Sequence, residues 1–411
     1  MGKATRVRRL FVGSVFPSSW GERFRAESSP TIEAQRALLG KLANRGWRPE
    51  KILTTPPLRR SPPHRPEVWP KTMGGALEDC PETQLVPLGF TNVEPCKTLS
   101  IARDLRRELV AWVEDCQRNG ARPQVLVYNL GPTHEQGGFL ARLHDRLPFQ
   151  LCPLITDLDF HGSRASLGKR IRFRWQSCLP RAADRLMALN QSVLDDFGGK
   201  KPCLHARGLV VDEQLFEKLL ALPCPVPREG KPLAFYYGGS LNEVRGARRL
   251  IEAFADLDPA RFRLEISGRG PLCGWIRERA ASLPQVTWLG NLLSQEERLA
   301  AYARAEVVVN PHGVLAPEAR YLAPSKVAEY AASGRVVLSA DLPGMGSWKG
   351  SGIFLYEGDS VQALRKACRA LESMEPEARG TRARESRAWA RGEFSTDRLA
   401  GQIMDFLGED L

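Results

Sequence analysis

The chain has 411 residues, 43% of them hydrophobic and 26% charged, a globular composition on a length that exceeds one ordinary core, so two domains are expected. A formal net charge of +12 points to an anionic partner: nucleic acid, an anionic membrane surface or a phosphorylated substrate. No zinc-finger spacing, RNA-recognition aromatic motif or basic-zipper pattern is visible, which argues against nucleic acid, and no apolar run approaches the roughly 20 residues of a membrane span or forms a signal peptide, so a soluble cytoplasmic protein is expected.

In chain order, Leu10-Phe11-Val12-Gly13 reads as a short buried strand, followed by a loop and a helix over residues 30–42. Residues 54–72 carry Pro56, Pro57, Pro62, Pro63, Pro66 and Pro70 among basic residues and read as an irregular surface excursion. Helical patterning resumes over 99–113, and Val125-Leu126-Val127-Tyr128-Asn129 is a second clear strand. Residues 140–147 fit a helix, and a third strand, 151–156, ends at Asp157. Strands alternating with helices predict a parallel sheet whose ligands lie beyond the carboxyl ends of the strands.

The most basic stretch follows, residues 164–181, in which Leu167, Ile171, Trp175 and Leu179 recur at helical spacing beside Arg164, Lys169, Arg170, Arg172, Arg174 and Arg181. A basic amphipathic helix of this kind can lie on anionic lipid or grip a phosphorylated acceptor, or be a half-buried helix with a solvated face. Residues 185–190 read as a strand, 209–212 close the first domain's pattern, and Pro223, Pro225, Pro227 and Gly230 mark 222–232 as the linker.

A fresh alternation then begins: strand 234–237, a Gly238-Gly239-Ser240 turn, helix 247–257 and strand 262–267. Ser294 and Glu297 form a capping box, 306–310 is a strand, and 353–356, 360–374 and 395–407 read as strand, helix and final helix. Residues 323–339 read as loop, short helix and strand. Pro324 fixes the entry, Ser325 can cap the first turn, and Gly334 supplies a left-handed stop. A helix start with free N–H groups, Lys326 just inside it and Glu329 one turn on offers a diphosphate seat and a ribose acceptor. An ordinary crossover with a surface Lys and Glu reads the same. The nine cysteines show no C-x-x-C pair and are expected to be reduced thiols that bind no metal.

Gly239-Ser240-Leu241-Asn242-Glu243-Val244-Arg245-Gly246, Ile266-Ser267-Gly268-Arg269-Gly270, Val286-Thr287-Trp288-Leu289-Gly290, Val309-Asn310-Pro311 and Pro324-Ser325-Lys326 with Glu329-Tyr330 occur in one order. Together these blocks resemble a family 4 glycosyltransferase of the branch that writes Pro-Ser-Lys followed by Glu-Tyr. The N-terminal half resembles the family through strand order, Val127-Tyr128-Asn129 and Thr156-Asp157-Leu158. The resemblance implies an α/β protein of GT-B architecture. It would comprise an acceptor-side Rossmann-like domain (1–225), a nucleotide-sugar-binding Rossmann-like domain (226–394) facing it across a cleft, and a C-terminal helix (395–411) crossing back to the first.

The implied activity is transfer of a sugar from a nucleoside-diphosphate sugar to a glycan or lipid-linked acceptor, with retention and without a metal or other cofactor, in cell-surface polysaccharide or glycolipid synthesis. A sugar-nucleotide epimerase of the same fold and a non-catalytic sugar-nucleotide- or polysaccharide-binding subunit are the alternatives. Because negative charge grows on the leaving diphosphate, such a site needs preorganised cations and N–H donors. Arg245 and Lys326 match the catalytic cations. Gly239, Ser240, Gly268, Ser325 and Glu329 complete the donor site, with Ser240 where many members carry Arg. Tyr321 stands where the family has a sugar-facing Glu, leaving Glu318 and Arg320 as substitutes. Asp157 and His161 are the acceptor-side candidates, and 164–181 would meet an anionic membrane.

Overall fold

The computed structural model describes residues 6–17, 30–55, 68–69, 77–93, 96–128, 132–158, 160, 166–225, 230–315 and 317–408. Its strands are β1 (Val7–Gly13), β2 (Lys51–Thr54), β3 (Val68–Trp69), β4 (Gln84–Pro87), β5 (Phe90–Thr91), β6 (Arg122–Tyr128), β7 (Gln150–Ile155), β8 (Leu186–Ala188) and β9 (Cys203–His205). They continue with β10 (Leu233–Ser240), β11 (Phe262–Arg269), β12 (Val286–Trp288), β13 (Val307–Asn310), β14 (Val336–Ala340) and β15 (Phe354–Tyr356). Apart from the small antiparallel pair β3 and β5, they form a seven-stranded sheet in the order β4-β2-β1-β6-β7-β8-β9 and a six-stranded sheet in the order β12-β11-β10-β13-β14-β15. All pairings within the two sheets are parallel.

Both sheets have the doubly wound order of a Rossmann fold, in which the chain starts at the centre, builds one side, then returns to build the other. The unbroken apolar runs explain which strands lie innermost. Leu10 and Phe11 in β1, Val125 and Val127 in β6, and Val307 and Val309 in β13 are fully buried, as strands covered by helices on both faces must be. In the second sheet the core also takes Leu250, Ile251 and Phe254 from the helix Ala247–Ala255 and Leu364 from the helix Val361–Glu372.

The chain divides into compact units 1–211 with 395–411, and 212–394. The helix Glu213–Ala221 therefore belongs to the second unit, not to the first as a boundary at 225 had placed it. Its buried residues Leu215, Phe216 and Leu219 pack on the helices Lys326–Ala332 and Gln295–Arg304, and its cap Asp212 accepts from the side chains of Gln295 and Arg298. In the first unit the last helix, Thr396–Gly408, packs on Pro30–Asn44 and buries Leu399, Ala400, Ile403, Phe406 and Leu407.

Four local expectations change, the first at Gly238-Gly239-Ser240, which was expected as a turn and is the end of β10, paired in parallel with β11 because glycines there let the two strands run on side by side. The helix Pro376–Glu393 was not read from the sequence, because it is charged nearly all round and buries only the small residues Ala383, Ser386 and Ala390. The basic stretch forms two helices, Leu167–Gln176 and Cys178–Ala182, and its apolar residues do not share one buried face. Leu179 is buried and Trp175 packs on Phe139, whereas Leu167 and Ile171 are 70% and 58% exposed. The strand expected over 185–190 is confined to β8. The proline-rich excursion lies outside the described residues except at its ends, as do residues 226–229 of the expected linker.

Candidate active site

In the second unit the strand order reverses direction between β10 and β13, the switch point where α/β sheets leave a crevice at their carboxyl edge. The sequence blocks converge there. Parallel register pairs Gly239 with Gly268 and Ser240 with Arg269. Gly268 has φ +137°, and a Cβ on it would lie 1.8 Å from the Gly239 carbonyl oxygen, so only glycine allows the two strand ends to approach. The exposed Ser240 ends β10, its carbonyl accepting from the Tyr237 hydroxyl at 2.8 Å.

After β10, Asn242 folds the chain back by accepting from the Arg245 amide through Oδ1 at 2.8 Å. Gly246, at φ +74°, then starts the helix Ala247–Ala255. A Cβ on Gly246 would lie 1.7 Å from the Pro311 carbonyl oxygen, so this turn sits directly against the loop that follows β13. Arg249 and Asp359 brace that loop. The Arg249 guanidinium donates to the Pro311 carbonyl at 3.1 Å and pairs with Asp359, whose carboxylate accepts from the amides of Val314 and Leu315.

The result is a contact that the sequence did not suggest: Arg245 Nη1 donates to His312 Nε2 at 2.5 Å. His312 is 5% exposed, and burial first, then the charges of Arg245 and Arg249, hold its pKa well below the ordinary histidine value. Its position directly after the Asn310-Pro311 block was the available signal.

The other side of the crevice is the helix Lys326–Ala332. Lys326 Nζ and the buried Glu329 carboxylate pair at 2.8 Å, and the Tyr302 hydroxyl donates to the same carboxylate oxygen at 3.3 Å. Tyr330, on this helix, accepts from the Gly238 amide and donates to its carbonyl, tying the helix to the end of β10. Burial raises the Tyr302 and Tyr330 phenols well above the ordinary range, so both stay neutral donors. The expected Ser325 cap is absent: Ser325 has helical dihedrals and makes no side-chain cap bond, because the preceding Pro324 carbonyl already takes the Val327 amide in a tight turn. Gly334 does take the left-handed stop at φ +64°. Of the expected donor residues, Gly239, Ser240 and Gly268 lie at the ends of β10 and β11, Arg245 in the turn before the helix Ala247–Ala255, and Ser325, Lys326 and Glu329 at the start of and within the helix Lys326–Ala332.

Tyr321, at the position of the missing Glu, is 5% exposed and has the Arg320 guanidinium over its ring at 5.7 Å. It is a buried aromatic residue where the expected carboxylate would stand, and the Glu318 side chain lies outside the described residues. In the first unit, Asp157 is half-buried just beyond β7. Burial foremost, and then the Asp157 charge, push the Tyr128 phenol at the end of β6 above its ordinary range, so Tyr128, named in the sequence only as part of a matching block, is a polar group near Asp157. His161 lies outside the described residues.

None of the nine cysteines is disulfide-bonded. Among the described residues no cluster of His, Cys, Asp and Glu could hold a metal ion, and no helix is long and apolar enough to cross a membrane.

Solved structures share this fold along nearly the whole chain. A sucrose-phosphate synthase from Thermosynechococcus elongatus superposes with a TM-score of 0.67 at 17% identity, covering 98% of each chain. HepE from Anabaena, in complex with UDP, superposes with a TM-score of 0.60 at 15% identity, covering 98% of this chain and 100% of that one. An α,α-trehalose 6-phosphate synthase from Burkholderia multivorans gives 0.62 at 12% identity, covering 99% of each. No curated protein matches the sequence. Residues 232–373, which hold every expected donor residue, match the family model described as Glycosyl transferases group 1, and the two Rossmann-like units share the GT-B fold of the solved structures.

Proposed function

We propose that the protein transfers a sugar from a nucleoside-diphosphate sugar to a glycan or lipid-linked acceptor, with retention of configuration and without a bound metal. The observation that carries this reading is the switch point of the second sheet. There the glycine-tight ends of β10 and β11, the Arg245 guanidinium and the Lys326–Glu329 pair share one edge. Glycines admit a diphosphate close to backbone N–H groups, Arg245 and Lys326 supply positive charge, and Glu329 supplies acceptors for ribose hydroxyls.

In the transfer the bond between the anomeric carbon and the phosphate oxygen breaks, the acceptor oxygen bonds that carbon, and the acceptor proton leaves with the diphosphate. Negative charge grows on the leaving group, so Arg245 and Lys326 stabilise the transition state more than the bound donor. HepE, of the same fold, binds UDP, which makes a uridine donor the first to try. Asp157 is the acceptor-side candidate in the first unit. The exposed Leu167 and Ile171, beside the exposed Lys169, Arg170, Arg172 and Arg174, suit an anionic membrane bearing a lipid-linked acceptor, with the protein on its cytoplasmic face.

The test is a panel of UDP, GDP and ADP by calorimetry, then the matching nucleotide sugars incubated with glycan and lipid-linked acceptors, with the product anomer read by NMR. Binding of one nucleoside diphosphate and a product of retained configuration are expected. Binding of none overturns the reading.

A further inference from the structure

We infer that His312 is the positioning residue for Arg245: its Nε2 takes one guanidinium N–H and thereby turns the remaining N–H groups toward the donor diphosphate, an inference that rests on the donor-site reading above. Arginine has only donors, so the lone pair in the Arg245–His312 bond must belong to Nε2, and the ring proton must sit on Nδ1. There it donates to Asn310 Oδ1 at 2.5 Å, the Asn310 amide donates to Ser339 Oγ at 2.9 Å, and that hydroxyl donates to the Ala340 carbonyl. The direction of every hydrogen bond along this line is thereby fixed. The imidazole tautomer is therefore set by β13 and β14, two strands of the sheet itself.

The two cations of the site are held in opposite ways. Lys326 is paired with a carboxylate, so that pair is neutral as a unit. Arg245 is held by an uncharged acceptor, which orients a guanidinium as a carboxylate would but leaves its charge uncancelled for an anion. The backbone enforces the contact, because the Gly246 turn and the Pro311 carbonyl leave no room for a side chain between them.

The groups facing His312 are Arg245 from the turn before the helix Ala247–Ala255, Arg249 from that helix with Asp359 as its partner, and the neutral Asn310. Two arginines and deep burial disfavour the imidazolium, consistent with the lowered pKa. Protonation would remove the lone pair and set two cations together.

The test uses the full chain with UDP, GDP and ADP as probes, and the matching nucleosides as controls, in the wild type, Arg245→Ala, His312→Ala, His312→Gln and the double variant Arg245→Ala/His312→Ala. For the diphosphate that binds, His312→Ala is expected to weaken affinity on the order of 10-fold. His312→Gln, whose side-chain oxygen reaches the Nε2 position, should stay within about threefold of wild type. The double variant should bind no more weakly than Arg245→Ala, and nucleoside affinity should not change. Should His312→Ala not fold, His312→Phe against His312→Gln makes the same comparison.

Long-range proton–nitrogen NMR should show His312 as the Nδ1–H tautomer, unchanged from pH 8 to 6. Additive losses in the double variant, wild-type affinity in His312→Ala (or, should that variant not fold, His312→Phe binding as well as His312→Gln), or an imidazolium signal overturns the inference while leaving the donor site standing. Loss of all diphosphate binding in the wild type, or an Arg245→Ala that binds normally, instead overturns the reading on which it rests.

Discussion

Glu329 shows how burial changes what a single substitution does. The sequence placed it early on a helix, where alanine is well tolerated. In the folded chain its carboxylate is also the acceptor for the buried Tyr302 hydroxyl and the partner of Lys326. Glu329→Ala would leave a buried hydroxyl without an acceptor, at a cost of about 1–3 kcal/mol in stability. Glu329→Gln keeps an acceptor there and removes only the charge. It is expected to melt close to wild type yet weaken nucleoside-diphosphate binding on the order of 10-fold, measured by calorimetry beside the free nucleoside monophosphate. Gly268→Ala carries the opposite signature. Its φ of +137° and the Gly239 carbonyl in the path of a Cβ should cost well over about 1 kcal/mol in the second unit and abolish nucleotide binding, read by thermal unfolding with and without UDP.

At the scale of elements, the helix Leu167–Gln176 is held at its C-terminal end. Trp175 lies edge-on to Phe139 with the Arg142 guanidinium 4.6 Å from its ring, while the first turns expose Leu167 and Ile171 among arginines. Membrane binding through those turns predicts sedimentation with vesicles that rises with anionic lipid and falls with salt, since each basic residue near the surface contributes about 1 kcal/mol. Arg170→Gln with Arg172→Gln and Arg174→Gln should weaken it markedly, and Leu167→Ser with Ile171→Ser should weaken it further. Unchanged sedimentation returns the helix to a solvated face.

A second element-scale expectation concerns pH. His144, in the last turn of Pro132–His144, bonds Asp184, which also accepts from the Leu151 amide at the start of β7. The Asp184 bond raises the His144 pKa, so its stabilisation is fully present below the unfolded-state value near 6.5 and is lost as pH rises through the folded-state value. His144→Gln should therefore destabilise the first unit more at pH 5.5 than at pH 8.5. The difference should be under about 1 kcal/mol for so exposed a pair, read from denaturant midpoints.

For the whole molecule, the chain's two ends meet in one unit. The helix Thr396–Gly408 lies against Pro30–Asn44, Arg185 donates to the Phe406 carbonyl at 2.5 Å, and Arg45 pairs with Asp397. Truncation after residue 394 removes several fully buried side chains, each worth roughly 1.5–3 kcal/mol, a sum comparable to the stability of a domain. Calorimetry should then show the first unit melting far lower, with nucleoside-diphosphate binding by the second unit retained. Loss of both together would mean that the units fold as one.

Consecutive residues were enough to mark β1, β6, β10 and β13, the Gly334 stop, the Ser294–Glu297 capping box and the order of the five blocks, because apolar periodicity, left-handed glycines and caps are local properties of the chain. The helix Pro376–Glu393 escaped because small residues in a charged segment carry no such period, although it supports the site helix through Arg387, which donates to the Ser333 carbonyl. Tyr321 stands where the resemblance implies a Glu, and only the fold showed that it is buried with the Arg320 guanidinium over its ring. The partner of Arg245 was also out of reach, since His312 lies 67 residues away and meets it only through the crossing from β10 to β13 and the clearance at Gly246. Local patterning determined which segments become strands and loops. Which side chains share a proton across the switch point was decided by parallel register and backbone contact, which no single stretch of sequence contains.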